Sequence, residues 1–217
     1  KDADEAYAQY KQVITTYGFD TGPAHIDFDI EGGAQLDRNA NARRGAAIAR
    51  LQKDYPDLRV AFTLPVLPEG LVHDGLTVLR DTVATGARVD LVNIMAMYFF
   101  RQEDMGQLTK QAMDSLHGQL AEFYPGMTAK ARWAKVSVCP MVGQCGDGSI
   151  FSLDHADQIA AYAQAKGIGQ LTYWEAGRDR NACLSGALYQ CTNIPQEPWD
   201  FARRFGVYQA AATKSGA

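Results

Sequence analysis

Polar and apolar residues alternate strictly in His25-Ile26-Asp27-Phe28-Asp29-Ile30-Glu31, and the run ends in Gly32-Gly33. Successive side chains of a β-strand point to opposite faces. The segment therefore predicts a strand over 25–31 with His25, Asp27, Asp29 and Glu31 on one face and Ile26, Phe28 and Ile30 on the other. Before it, Tyr7, Tyr10, Ile14 and Tyr17 fall at helical spacing. After it come a helix over 39–55 stopped by Pro56, a strand over 59–66, and a helical stripe of Val72, Leu76, Leu79 and Val83 that ends near Gly86. The apolar run 91–98 predicts the next strand, and Leu108, Ala112, Leu116 and Leu120 the next helix. A strand over 136–141, a helix over 154–166, a strand over 169–174 and a last helix opened by Pro198 complete the series. Strands alternating with helices of this length predict an α/β fold with a parallel sheet.

The charged face of the 25–31 strand is where chemistry is expected. Its apolar flanks and the βα pattern that follows predict a strand buried on both sides, which crowds three carboxyls into a restricted space. Repulsion and desolvation should then raise at least one carboxyl pKa, which keeps an acid available as a proton donor near neutral pH. Glu31, at the C-terminal end of the strand, is the natural candidate. A solvated charged face and a metal site using His25, Asp27, Asp29 and Glu31 as ligands are the competing readings.

Composition narrows the field only a little. The chain has 217 residues, 47% hydrophobic and 21% charged, enough for one domain with a sizeable core. Its net charge of -4 and scattered Lys and Arg give no patch for nucleic acid or an anionic membrane. No apolar stretch reaches the roughly 18 residues of a membrane span, and the start carries no signal-peptide core, so any export signal is expected outside these residues. No Cys-x-x-Cys or His-rich spacing points to zinc, and no Gly-rich loop points to nucleotide phosphates.

Asp27-x-Asp29-x-Glu31 resembles the Asp-x-x-Asp-x-Asp-x-Glu signature on the fourth barrel strand of glycoside hydrolase family 18, the chitinase family. Ala24 stands where the first Asp belongs, and His25 where Gly is common. Met95-Ala96-Met97-Tyr98 falls where the family carries Met-x-Tyr-Asp on the sixth strand, and the bacterial chitinase D-like branch reads Met-Ala-Met-Asp there. Met97 is thus ordinary for that branch, and Tyr98, in the Asp position, is the departure. Tyr98, Phe99 and Phe100 read either as core aromatics or as a wall of a sugar site. Trp174 matches the Trp that floors the sugar in the family, and Arg178 with Asp179 is expected to form a charge pair shaping the mouth. Trp133 and Trp199 are expected in the core.

The resemblance implies a (β/α)8 TIM barrel, which has about 250 residues. The five predicted strands correspond to strands 4 to 8, so residues 1–209 are expected to form the C-terminal part of a catalytic barrel with two open sheet edges, and 210–217 a tail or linker. It implies an extracellular endochitinase-like enzyme acting on chitin or chito-oligosaccharide, a monomer if the barrel is complete, with no cofactor and no metal. Glu31, Asp29 and Asp27 would be catalytic, and Trp174, Tyr98, Met95 and Met97 would bind the sugar. A chitin-binding lectin of the same fold is the alternative that keeps the fold, and a metal-dependent barrel hydrolase the one that changes the chemistry. Four cysteines allow three pairings. Cys183 with Cys191 is the preferred bridge and resembles one in that bacterial branch, with Cys139–Cys145 as a second pair.

Overall fold

The structure is a computed structural model that describes residues 2–20 and 24–212. It holds an open five-stranded parallel sheet in the order β1 (His25–Asp29), β2 (Arg59–Pro65), β3 (Leu91–Ala96), β4 (Val136–Pro140) and β7 (Gln170–Leu171), flanked by helices, together with a small two-stranded sheet. The chain divides into two compact units, Lys1–Pro65 with Leu71–Val92, and Val66–Gly70 with Asn93–Ala217.

In the first unit, Asp2 caps α1 (Ala3–Thr16) by accepting the Glu5 N–H at 2.9 Å, and Asp37 caps α2 (Arg38–Asp54) by accepting the Ala40 N–H at 2.8 Å. Such caps satisfy N–H groups that a helix start leaves without partners. The two helices meet through Tyr7, whose hydroxyl donates to Asp54 while the Arg50 guanidinium lies 3.7 Å from its ring centroid. Strand β1 (His25–Asp29) pairs in parallel with β2 (Arg59–Pro65), from His25 opposite Arg59 to Asp29 opposite Thr63. Phe28 stacks on Phe62 at 5.5 Å and meets the edge of Tyr10 at 5.1 Å, while Ile48, Leu51 and Leu64 are fully buried. Helix α3 (His73–Val83) follows, and Gly45 lets α2 approach its C-terminal end. A Cβ at Gly45 would come within 2.6 Å of the Thr85 hydroxyl.

Strand β1 differs from expectation in two ways. It ends at Asp29, because Gly32 turns the chain at φ +50° into a single 3₁₀ turn over Gly32–Leu36. It is also not buried on both sides: Asp27, Asp29 and Glu31 are exposed. The packing of α1 onto β1 reaches the apolar face, at Phe28, and leaves the acidic one open to solvent.

Strand β3 (Leu91–Ala96) runs from the first unit into the second. There α4 (Met105–Phe123) buries the expected Leu108, Ala112, Leu116 and Leu120, and β4 (Val136–Pro140) buries Val136 and Val138. Helix α6 (Leu153–Lys166) opens on a capping box between Ser152 and His155 and closes on Gly167 at φ +68°. His155 Nε2 lies 2.9 Å from Asp104, the N-cap of α4, so the starts of both helices are tied together. Strand β7 covers only Gln170–Leu171, yet the chain stays extended beyond it, with Trp174 bridging Met141 in parallel.

Four short elements escape the periodicity analysis: α5 (Ala129–Trp133), the antiparallel pair β5 (Gly143–Gln144) and β6 (Ile150–Phe151), and α7 (Ala176–Asn181). Each is shorter than the window over which a hydrophobic period can be read. The last helix, α8, spans Asp200–Ala212, so residues 210–212 of the expected tail are helical and 213–217 lie outside the described residues. Among the described residues, no helix is long and apolar enough to cross a membrane.

Leu51 is completely enclosed in the first unit. Leu51→Ala is expected to destabilise the protein by about 2–5 kcal/mol through lost transfer energy and the cavity left behind. Urea unfolding should show a lower midpoint at unchanged slope.

Candidate active site

The acidic face of β1 is set by the strand and by the turn behind it. The Thr63 hydroxyl of the neighbouring strand donates to Asp27 Oδ2 at 2.5 Å. The Ile30 N–H donates to the Thr63 carbonyl at 3.1 Å, and the buried Gln35 amide donates to the Ile30 carbonyl at 2.9 Å. Gln35 is held in turn by the Asn41 amide on its carbonyl at 3.1 Å. These contacts fix the backbone on either side of Glu31, which itself accepts the Ala34 N–H on its carbonyl. A lone Gln inside Gly-Gly-Ala-Gln-Leu carries no pattern that marks it as a support, so sequence reasoning passed over it.

The carboxyls of Asp27 and Asp29 are both raised. Although Asp27 keeps an exposed edge, its carboxyl lies against the neighbouring strand, and that desolvation pushes it up against the lowering effects of the Thr63 hydrogen bond and of His25. Asp29 is raised by burial first, then by the negative charges of Glu31 and Asp27 and by a side-chain hydrogen bond with Glu31. The expectation that at least one carboxyl is raised is met at Asp27 and Asp29. His25 is shifted down, by burial and by the Arg59 cation, and its Nε2 is buried without a partner. Among the described residues no three His, Cys, Asp or Glu side chains are placed to hold a metal ion. His25, Asp27, Asp29 and Glu31 are thus not placed as a shared ligand set.

In the second unit, the segment after β3 leaves regular structure abruptly. Met95 and Met97 are half-buried, and the Met97 N–H turns back to the Met95 carbonyl at 2.9 Å. Tyr98 at φ +51° and Phe100 at φ +54° both occupy the left-handed region, where aromatic residues are rare. Their backbones are held from one neighbouring loop: the Tyr98 N–H donates to Cys145 Sγ at 3.4 Å and the Phe100 N–H to Asp147 Oδ2 at 2.9 Å. The Tyr98 ring lies against Gly146, where a Cβ would come within 2.6 Å of it. Phe99 is core, but Tyr98 and Phe100 are 41% and 76% exposed, so only one of the three aromatics follows the core reading.

Trp174 is half-buried, and its peptide bond to Glu175 is cis. Its N–H donates to the Pro140 carbonyl at 2.9 Å, and its own carbonyl accepts the Val142 N–H at 3.0 Å. Arg178, at 0% exposure, does not pair with Asp179 as expected. Adjacent residues on a helix face different directions, and these two reach different segments. Arg178 donates to the carbonyls of Leu188, Val142 and Gln144 at 2.6–2.7 Å. Asp179 accepts from the Gln196 amide at 2.8 Å and from the Phe201 and Ala202 N–H groups at 3.1 and 2.9 Å, anchoring the start of α8. Trp133 is core, stacked on His117 at 4.3 Å, whereas Trp199 is 40% exposed, against expectation.

Cys183 and Cys191 are bonded, with Cα atoms 5.1 Å apart, as expected. Cys139 and Cys145 are thiols and not a second bridge. Cys145 is buried beneath Tyr98 and engaged by its N–H, and burial pushes its thiol pKa up.

With this geometry in place, the chain can be set against known proteins. No family model matches it. The catalytic domain of a hyperthermophilic chitinase from Pyrococcus furiosus superposes with a TM-score of 0.87 at 26% identity, over 97% of this chain and 67% of that one. The chain is chitinase-like. It is also 28% identical over 194 residues to a probable bifunctional chitinase/lysozyme of Escherichia coli, and 28% identical over 200 residues to endochitinase 11 of Metarhizium anisopliae. These matches take in 82% and 85% of this chain but only 21% and 38% of the relatives, so the chain spans well under half of the curated proteins it matches. A catalytic-site mutant of the Pyrococcus domain, complexed with chito-oligosaccharides, gives the same TM-score of 0.87 at 25% identity.

The raised Asp29 carboxyl has a consequence for stability. Above its folded pKa the group is ionised in both states and the fold carries the repulsion; below the ordinary value of 3.8 it is protonated in both and the penalty vanishes. Its contribution to stability therefore worsens as pH rises through that window. Asp29→Asn is expected to raise the melting temperature by a few degrees at pH 7 and to lose this advantage near pH 3, as scanning calorimetry at the two pH values would show.

Proposed function

We propose that this chain forms part of a retaining chitinase, an endochitinase-like glycoside hydrolase that cleaves β-1,4 bonds between N-acetylglucosamine units. The observation that carries the proposal is the triplet Asp27, Asp29 and Glu31 on one open strand face, with Asp29 hydrogen-bonded to Glu31 and both aspartates raised. The likeness to chitinase catalytic domains over nearly the whole chain supports it. We read residues 1–209 as the C-terminal part of a (β/α)8 catalytic barrel, strands 4 to 8, and 210–217 as a tail or linker.

Glu31 is assigned as general acid and base. It protonates the glycosidic oxygen as the bond to the anomeric carbon breaks, while the acetamido oxygen of the same sugar attacks that carbon and closes an oxazolinium ring. Asp29 accepts a hydrogen bond from the acetamido N–H, orienting the oxygen and stabilising the positive charge that develops. Asp27 shares a proton with Asp29, the two titrating as a coupled pair. Glu31 then takes a proton from water, which opens the ring with retained configuration. Trp174 is assigned as the flat surface beneath a sugar, with Tyr98, Met95 and Met97 as further sugar contacts. The substrate is chitin or chito-oligosaccharide and the enzyme works as a monomer outside the cell, a placement the Cys183–Cys191 bridge supports.

Glu31→Gln keeps side-chain volume but cannot deliver a proton. It is expected to lower kcat by at least about a hundredfold on a chromogenic chitobioside, with affinity for chito-oligosaccharide within a few-fold of the parent. Residual turnover above a few per cent would remove Glu31 from the acid role. Binding by the parent without any turnover would favour a lectin. Activity is expected to persist in EDTA, and its loss there would point to a metal-dependent hydrolase.

A further inference from the structure

Arg178 is the largest completely buried side chain among the described residues, and its hydrogen bonds go to backbone carbonyls and to no carboxylate, although the charge of nearby Glu175 offsets part of the cost of burying it. Its neighbour Asp179 is committed to Gln196 and the start of α8. A buried cation without a carboxylate partner is costly, and for purely structural ends an apolar side chain of similar volume is often as good or better. Two features show what the guanidinium is used for. Its two Nη atoms tie together the carbonyls of Val142, Gln144 and Leu188, which belong to the segment after β4 and to the disulfide-closed loop. Its carbon lies 5.2 Å from the centroid of the Trp174 ring. Trp174 is fastened to the same segment by its carbonyl, which accepts the Val142 N–H. Backbone and ring of Trp174 are therefore fixed by a structure that Arg178 completes, while the half-buried indole keeps part of its surface open.

We propose that Arg178 is the positioning residue of Trp174: the guanidinium braces one side of the indole so that its open surface is held ready for a sugar ring. The sugar part of this inference rests on the reading given under Proposed function. The planar fork is essential to it. Lysine would keep the charge but lacks the rigid fork of donors that ties these three carbonyls from beside the indole. Arg178 acts through Trp174 and touches no substrate.

The test is a double-mutant cycle of R178K and W174F, read with and without sugar. Without sugar, R178K is expected to change the near-UV circular dichroism of the parent and to leave that of the W174F background unchanged, while lowering the melting temperature by a similar amount in both. With chitotetraose followed by calorimetry, R178K is expected to weaken binding by about tenfold, W174F to weaken it as well, and the double variant to be no weaker than W174F alone. An unchanged near-UV spectrum, or losses of affinity that simply add, would overturn the proposal. Should R178K not fold, the guanidinium resonances of the parent supply a second measurement: W174F must shift them by altering the ring current, and unshifted resonances would overturn the bracing. If the parent binds no chitotetraose while the spectral change persists, the sugar reading falls and the bracing of Trp174 stands.

Discussion

The period of two along β1 is the constraint from which the candidate chemistry follows. One face has to hold Phe28 against Phe62 and Tyr10, and that requirement places Asp27, Asp29 and Glu31 together on the other. The anchoring on the apolar side is what makes the crowding on the acidic side sustainable. Neither Asp27 nor Asp29 can relieve its neighbours by swinging the strand away, because the parallel register with β2 and the Thr63 hydroxyl hold it. Burial at both aspartates, and repulsion in addition at Asp29, is therefore answered by proton affinity and not by movement.

The second unit solves a different problem, that of keeping irregular backbone rigid. Between β3 and α4, after β4, and between β7 and α8 there is little ladder to lean on, so single polar groups serve instead. Asp147 receives the Phe100 N–H as well as the Ser149 hydroxyl and N–H. Asp179 fastens α8, and Arg178 gathers three carbonyls. Each brings several donors or acceptors of one side chain to bear on backbone groups and so ties separate segments together. Aromatics in left-handed conformations at 98 and 100 persist because such groups over-determine the loop around them.

Much of this was legible beforehand, and the reasons are physical. The five sheet strands and the helices between them announce themselves because a long element repeats its burial pattern several times. The acidic triplet is legible because alternation in a strand needs no knowledge of neighbours. What failed were inferences about partners. Arg178 and Asp179 are adjacent in sequence and opposite in charge, yet helix geometry sends them apart. Cys139 and Cys145 are near in sequence, but the Cys145 sulfur is taken up by the Tyr98 N–H. Burial of β1 on both faces was inferred from its flanks, although what covers a face is decided by other elements of the fold. Gln35 and the two left-handed aromatics had no signal at all, since side-chain-to-backbone contacts and φ values above zero leave no periodic trace.

The state of Cys145 bears on how the chain fares among oxidants. Disulfide exchange begins with attack by a thiolate, and the rate depends both on how much thiolate exists and on whether it can reach the bridge. Burial withholds both from Cys145: its sulfur is closed off beneath Tyr98, and its proton is held more tightly than usual. Once folded, the chain therefore withholds Cys145 from exchange with the Cys183–Cys191 pair. The burial that closes the aromatic loop over this sulfur thereby also keeps it from attacking the bridge, and outweighs the Tyr98 N–H, which on its own favours the thiolate.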